Sequence, residues 1–264
     1  MSLSAFFPDH CLLPSVTFLG TASVTPDAGG DTASFMIGRT ILVDTGWWAT
    51  LKMLQYGFSP LEIQYLILTH CHHDHYIGLP HLLFYRRMKR HTEPLKIIGP
   101  ADDLSRIVDR AQDFLQIDRF PEVEDTVELI PLSPGADFNA DGFGLKTVGT
   151  LHAVQGLCYR FTDNASGRTF GFTGDTAYHP PIADHLQGCP FVVHEASHAD
   201  RIVGNAAATG HSTAAEAARI AKACGAERLA LVHVHRASAE AAVKAARVIF
   251  PGAFWPMDGE DVTF

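Results

Sequence analysis

Tyr65-Leu66-Ile67-Leu68-Thr69-His70-Cys71-His72-His73-Asp74-His75-Tyr76-Ile77-Gly78 is the stretch of sequence that decides the fold of this chain. Its first four residues form an apolar run that is typical of a buried strand. The pattern then changes to four histidines and one aspartate within six residues, and the apolar residues that follow recur at helical spacing. The polar residues therefore lie between a strand and a helix, which is where α/β proteins usually hold their ligands.

The spacing of these side chains predicts a metal site. His70 and His72 are two residues apart in nearly extended chain, so their imidazoles point to the same side and are able to share one cation. Asp74 and His75 follow as the chain turns into the helix, and they are placed for a second cation nearby. Mixed imidazole and carboxylate ligands suit zinc, and they also suit manganese or iron. The alternative, a solvated histidine-rich loop, is disfavoured because so many potential ligands lie between two apolar elements.

Length and composition predict one domain, residues 1–264, with a large core. The chain has 264 residues, of which 47% are hydrophobic, which is enough for a single compact core. No apolar run approaches the roughly 20 residues that cross a bilayer, so no membrane partner is expected.

The cysteines predict a reducing location. Their number is odd, and the five residues (11, 71, 158, 189 and 224) are scattered without a Cys-x-x-Cys pair. Residues 1–10 lack the basic head and long apolar segment of a signal peptide. Both features predict free thiols in a cytoplasmic protein rather than a disulfide framework.

Charge argues against nucleic acid as a partner. The formal net charge is −9, whereas binding to a polyanion usually requires a basic surface. The one basic cluster is Arg86-Arg87-Met88-Lys89-Arg90-His91, about 20 Å along a helix from the predicted metal site. We interpret these residues as cations that complement the dipole at the end of that helix.

Three further polar residues follow apolar strands, as His70 does. They are His152, Asp175 and His233. Each residue alone is weak evidence, because a histidine or aspartate at the end of a strand is more often an ordinary turn residue. Strands and amphipathic helices are mixed in both halves of the chain, which predicts two sheets with helices on the outside.

The stretch from Thr69 to His75 resembles the Thr-His-x-His-x-Asp-His signature of the metallo-β-lactamase-fold hydrolases, and the three later residues are similar to the later motifs of that family. The resemblance implies an α/β (α+β) fold, a four-layer αββα sandwich. It also implies two divalent metal ions that share a hydroxide, with zinc as the expected metal. The implied ligands are His70, His72 and His152 for one ion, Asp74, His75 and His233 for the other, and Asp175 between them.

Two other blocks point to one branch of the family. Val193-His194-Glu195-Ala196-Ser197 and Gly210-His211-Ser212-Thr213 are similar to blocks in the ribonuclease Z type endonucleases and in their phosphodiesterase and arylsulfatase relatives. The resemblance implies that Glu195 orients His211, which protonates the leaving oxygen, so we predict Asp74, Glu195 and His211 as catalytic residues. The alternative for His211 is an ordinary residue before a helix, because Ser212-Thr213 with Glu216 is typical of a helix N-terminal cap.

One departure from the family bears on the substrate. Ribonuclease Z proper carries a long arm between the positions that match His152 and Asp175, whereas only 22 residues separate them here. Tyr178 resembles a tyrosine that contacts the carbonyl group in quorum-signal lactonases, and packing in the interior is the alternative. His235, beside Arg236, is a second candidate for contact with substrate.

The sequence therefore predicts a dinuclear metal-dependent phosphodiesterase that acts on a small anionic ester. Two divalent cations carry more positive charge than Asp74, Asp175 and one hydroxide neutralise, which favours an anionic substrate. A lactonase, an arylsulfatase or a thioesterase is the alternative on the same site, and a non-catalytic metal-dependent sensor is the alternative from another class. A homodimer is compatible with the sequence.

Overall fold

Two seven-stranded sheets pack face to face in the computed structural model, which describes residues 14–201 and 206–264. The first sheet consists, in spatial order, of β14 (Asp261–Thr263), β1 (Ser15–Gly20), β2 (Ser34–Ile37), β3 (Ile41–Val43), β4 (Tyr65–Ile67), β5 (Leu95–Pro100) and β6 (Val127–Leu132). The second sheet consists of β13 (Ala253–Phe254), β12 (Arg228–Val232), β11 (Phe191–Glu195), β10 (Thr169–Phe172), β9 (Leu157–Asp163), β8 (Phe143–Gly149) and β7 (Asp137–Asn139).

Helices cover the outer surface of each sheet. They are α1 (Ala49–Gln55), α2 (His73–Tyr76), α3 (Leu79–Met88), α4 (Leu104–Phe114), α5 (Pro181–His185), α6 (Ala206–Thr209), α7 (Ala214–Ala223) and α8 (Ala239–Arg247). Two 3₁₀ turns, Pro121–Val123 and Arg236–Ser238, complete the described elements. Because the helices lie outside both sheets, the predicted four-layer αββα sandwich is confirmed.

Alternating side chains along the strands build three apolar layers. On β4, Leu66 packs against the outer helices while Ile67 points between the sheets, and Val192 and Val193 alternate in the same way on β11. The layer between the sheets is rich in phenylalanine, and the rings of Phe35 and Phe172 meet edge to face with centroids 5.5 Å apart. Each fully buried side chain of this kind contributes about 1.5–3 kcal/mol to folding.

Parallel pairing brings the carboxyl ends of several strands to one edge of the sandwich. Strands β3 to β6 run parallel to one another in the first sheet, and β10 to β13 do so in the second. The residues that follow β4, β10 and β12 therefore meet at the same edge, which is the edge that holds the polar residues of the quoted stretch.

The helix predicted after the metal motif is present, but it is divided into α2 and α3 around Gly78. A Cβ atom on Gly78 would lie 2.9 Å from the carbonyl oxygens of both Gly46 and Thr45. This close approach of backbone to backbone fixes the end of the motif against the turn after β3.

The described cysteines, Cys71, Cys158, Cys189 and Cys224, form no disulfides. Cys11 and the segment assessed for a signal peptide lie outside the described residues. Within residues 14–201 and 206–264, every helix is too short or too polar to cross a membrane.

Arg86, the first residue of the basic cluster, is fully buried rather than exposed. Its guanidinium group donates to the Asp125 carboxylate at 2.8 Å and to the carbonyl oxygens of Ile63 and Glu93 at 2.9 and 2.6 Å. Arg86 thus joins α3 to three loops, and its charge is not available to a partner at the surface.

Replacing Arg86 with alanine is expected to lower the free energy of unfolding by about 3–5 kcal/mol, because the buried Asp125 carboxylate would lose its partner. Arg87→Ala is the matched control, since Arg87 lies nearer the surface and donates only to the Glu122 carbonyl, and a change of about 0.5 kcal/mol is expected. Urea denaturation measures both variants, and equal losses would contradict the role assigned to Arg86.

Candidate metal centre and proton donor

The candidate site lies where strands of both sheets end. His70 follows β4 of the first sheet, whereas Asp175 and His233 follow β10 and β12 of the second. Glu195 is the last residue of β11. All four side chains are nearly or completely buried, so the site is built by the junction of the sheets rather than by one loop.

Three histidines converge at one side of this site. The Nδ1 atom of His72 lies 3.2 Å from Nε2 of His70 and 2.9 Å from Nε2 of His152. The three ring nitrogens together form a group with the spacing of metal ligands. His70 and His72 of the quoted stretch therefore meet His152, which lies 80 residues after His72.

The hydrogen-bond partners of Nδ1 in His70 and His152 show which ring nitrogen carries the proton. His152 Nδ1 donates to the carbonyl of Gly210 at 2.6 Å. The Thr69 hydroxyl donates to Asp44 at 2.8 Å, so its oxygen is left to accept from His70 Nδ1 at 3.2 Å. The Nε2 atoms of His70 and His152 therefore direct lone pairs at the centre, which is the form in which neutral imidazole binds a cation.

A second group of ligands lies beside the first. Asp74 Oδ2 is 3.3 Å from Nε2 of His75 and 3.1 Å from Nε2 of His233. This group contains one carboxylate and two imidazoles, a donor set that suits zinc, manganese or iron.

Asp175 lies between the two groups. Its Oδ2 atom is 3.7 Å from Nε2 of His70 in the first group, and 3.6 and 3.5 Å from Nε2 of His75 and His233 in the second. Among the described residues, the buried His75 Nε2 and Asp175 Oδ1 atoms have no hydrogen-bond partner. Buried polar atoms are rarely left without one, so the residues present fit divalent cations.

Electrostatics supports the same assignment. Burial disfavours a charge on Asp175, but His233, His75 and His70 outweigh burial and hold the pKa of its carboxyl well below the usual range. Burial also disfavours a charge on His75, yet the carboxylates of Asp175 and Asp44 raise the pKa of this imidazole well above its usual value. Because a bound cation must displace that proton, its affinity should fall as the pH falls.

Asp44 orients the ligands from behind. Its carboxylate accepts from the Thr69 amide at 2.8 Å and from His75 Nδ1 at 2.8 Å. Asp44 and His233 both adopt left-handed backbone conformations, with φ of 52° and 58°, although neither is glycine. Such strain persists only where surrounding contacts hold it, and it is common at functional sites.

Glu195 and His211 form the predicted pair. His211 Nδ1 donates to Glu195 Oε1 at 3.0 Å and lies 3.8 Å from Asp175 Oδ2. Burial would lower the pKa of His211, but the hydrogen bond and charge of Glu195 outweigh it and raise the pKa. The helix cap predicted as the alternative is also present, because Thr213 and Glu216 form a capping box at the start of α7.

The structure brings together the seven predicted ligands and the Glu195–His211 pair. Tyr178 lies at the surface three residues after Asp175, and His235 is half-buried. In the described part of the chain, neither makes a hydrogen bond or ring contact with a predicted ligand, and their contact with substrate stays a prediction. Ser23, whose hydroxyl is 3.4 Å from His233 Nδ1, was not predicted, because its only signal in the sequence is its place in the turn after β1.

Comparisons with known proteins show the family of this chain. Residues 39–234 match the family model described as "Beta-lactamase superfamily domain". The chain is 28% identical to "Ribonuclease Z" of Halobacterium salinarum, over 83% of this chain and 86% of that protein. These findings confirm the resemblance found in the sequence.

Solved structures show the same fold. The metallo-beta-lactamase fold protein YhfI from Bacillus subtilis matches with a TM-score of 0.81 and 24% identity, over 95% of this chain and 99% of that one. The short form of human tRNase Z matches with a TM-score of 0.75 and 22% identity, over 94% of this chain and 98% of that one. The fold is one that binds divalent metal ions.

The prediction that nucleic acid is not a partner is wrong. The relative named ribonuclease Z aligns with most of this chain, and its name specifies RNA as a substrate. The net charge of −9 is a sum over the whole chain, whereas a phosphodiester responds to the local field at the metal ligands.

Replacing Asp44 with asparagine is expected to weaken zinc binding by about 10- to 100-fold, because His75 would lose the carboxylate that orients it and raises its basicity. Competition with a chromogenic chelator measures the affinity. Asp137→Asn, at an exposed position on β7, is the matched control and should bind zinc as the unmodified protein does. An Asp44→Asn protein with unchanged affinity would contradict this role.

Proposed function

This chain is a hydrolase of the beta-lactamase superfamily, and we propose that it cleaves phosphodiesters with two divalent metal ions. The observation that carries this proposal is that the Asp175 carboxylate lies 3.5–3.7 Å from histidines of both groups, while His211, hydrogen-bonded to Glu195, lies 3.8 Å from the same carboxylate. One group of residues thus suits metal binding, and the other suits transfer of a proton.

His70, His72 and His152 would hold one ion, Asp74, His75 and His233 the other, and Asp175 both. When bound, such ions lower the pKa of water and polarise phosphoryl oxygens. The donor set favours zinc, with manganese or iron as alternatives. Two divalent cations exceed the charge of the two ligand carboxylates, so the site favours an anionic ester over a neutral one.

The chain itself supplies the proton for the leaving group. Glu195 accepts from His211 Nδ1, which leaves Nε2 of His211 to donate to the departing oxygen. Glu195 is 1% exposed and also accepts from the amides of Thr176 and Ser197 at 3.0 and 2.8 Å. These hydrogen bonds fix the position of the Glu195 carboxylate, which in turn fixes the orientation of the His211 imidazole.

The small diester expected from the sequence and the RNA named by the relatives share the same reacting group. Both are therefore substrates to test. They differ in the length of the nucleotide chain that the protein would bind. We also propose a reducing, cytoplasmic location, because the described cysteines are free thiols.

Zinc-loaded protein is expected to hydrolyse bis(p-nitrophenyl) phosphate, and removal of metal with a chelator should abolish turnover until zinc or manganese is restored. Specificity constants on an acyl-homoserine lactone, an aryl sulfate, a thioester and a tRNA precursor provide the comparison. A lactone preferred over every phosphodiester would contradict the proposal and favour the lactonase alternative.

His211→Ala should lower kcat by about 10²- to 10⁴-fold for a dinucleotide, whose leaving alkoxide needs a proton. The loss should be much smaller for bis(p-nitrophenyl) phosphate, because p-nitrophenolate leaves without one. Steady-state kinetics on both substrates checks this difference. Equal losses on the two substrates would contradict the role of His211 as proton donor, and no loss on either would favour the sensor alternative.

Glu195→Gln should move the pH profile of kcat. Because Glu195 raises the pKa of His211, the glutamine variant should hold the proton on His211 less firmly. As the pH rises, activity of this variant on the dinucleotide should therefore begin to fall at a lower pH than that of the unmodified protein. Glu227→Gln, at an exposed turn, is the control and should keep the original profile; a Glu195→Gln profile that does not move would contradict the pairing.

A further inference from the structure

We propose that Gly210 is a positioning residue that couples one group of metal ligands to the proton donor. The inference rests on the proposed function, because it takes His152 as a ligand and His211 as the donor. The Gly210 carbonyl accepts from His152 Nδ1 at 2.6 Å, and the next residue, His211, donates to Glu195 at 3.0 Å. The Gly210 carbonyl and the His211 amide nitrogen belong to the same planar peptide group, so neither moves without the other.

Only glycine fits at this position. Gly210 has a φ of +70°, and a Cβ atom there would lie 2.7 Å from His152 Nδ1 and 3.5 Å from the His152 Cα atom. Any side chain would therefore be strained in its own backbone conformation and would also push the imidazole away from its place beside His72.

The peptide group that carries this carbonyl is held in place from the other side. The Ser212 hydroxyl donates to the Thr176 carbonyl at 2.7 Å, and the Ser212 carbonyl accepts from the His198 amide at 3.1 Å. Thr213 then begins α7 with a capping box. Since these contacts fix the segment independently of His152, the Gly210 carbonyl acts as a fixed acceptor that orients His152.

A change at Gly210 should affect only the group of ligands that contains His152. Displacement of His152 should weaken a cation held with His70 and His72, but should leave the group of Asp74, His75 and His233 intact. Because coupling between sites is reciprocal, a cation held by His152 should in turn stabilise the segment that carries His211.

Gly210→Ala should bind one equivalent of zinc with unchanged affinity and the second about 10- to 100-fold more weakly, the usual effect of losing a partner behind a ligand. Chelator competition, with metal content measured by mass spectrometry, resolves the two equivalents. Gly167→Ala is the matched control, because Gly167 has the same φ of +70° with no atom near its Cβ position, and it should bind both equivalents normally.

His211→Ala provides the second control. It removes the proton donor but keeps the Gly210 carbonyl, so it should bind both equivalents of zinc as the unmodified protein does while it loses turnover of the dinucleotide. If Gly210→Ala binds both equivalents with unchanged affinity, the inference is overturned even though the unmodified protein cleaves phosphodiesters. If the unmodified protein binds none of zinc, manganese and iron, both the inference and the proposed function are rejected.

A measurement on the unmodified protein keeps the inference testable if Gly210→Ala does not fold. Long-range ¹H–¹⁵N spectra of histidine-labelled protein should show the His152 proton on Nδ1, with the signal assigned through its loss in His152→Asn. A proton on Nε2 would leave Nδ1 unable to donate to Gly210 and would overturn the inference.

Discussion

The buried carboxylate of Asp175 is the constraint on which the rest of the structure depends. A charge in the interior is unfavourable unless partners of opposite charge or hydrogen-bond donors surround it. Here those partners are imidazoles that come from both sheets, with ring nitrogens 3.5–4.0 Å from one carboxylate oxygen. The ends of the strands in the two sheets must therefore lie close together. The apolar layer between the sheets sets the distance between them.

The turn before Asp175 shows how closely the sheets approach. Gly174, with a φ of +59°, has no room for a side chain, since a Cβ atom would lie 2.6 Å from the Cβ atom of Thr69. Thr69 lies two residues after β4 of the first sheet and contacts both Asp44 and His70. This close approach joins the turn that carries Asp175 to the segment that carries the predicted ligands His70, His72, Asp74 and His75.

Local patterns were enough to predict which side chains the structure brings together at the candidate site, because each lies after an apolar strand and the family motif relates them. The long elements were equally visible in the sequence. The short ones, such as β7, β13 and α5, were not, since two to five residues carry too little periodicity to detect. Gly210 was noted only as part of a block, because a carbonyl group that orients an imidazole has no side chain to reveal it. The burial of Arg86 was missed because a run of charges does not show which member has a buried partner.

Because the predicted ligands come from both sheets, a bound metal ion would stabilise the folded state. Unfolding would separate these residues and release the cation, so binding of the cation would oppose unfolding. By mass action, each tenfold rise in free cation above its dissociation constant adds about 1.4 kcal/mol to apparent stability. We therefore expect the melting temperature of this protein to rise with the concentration of free metal in the buffer.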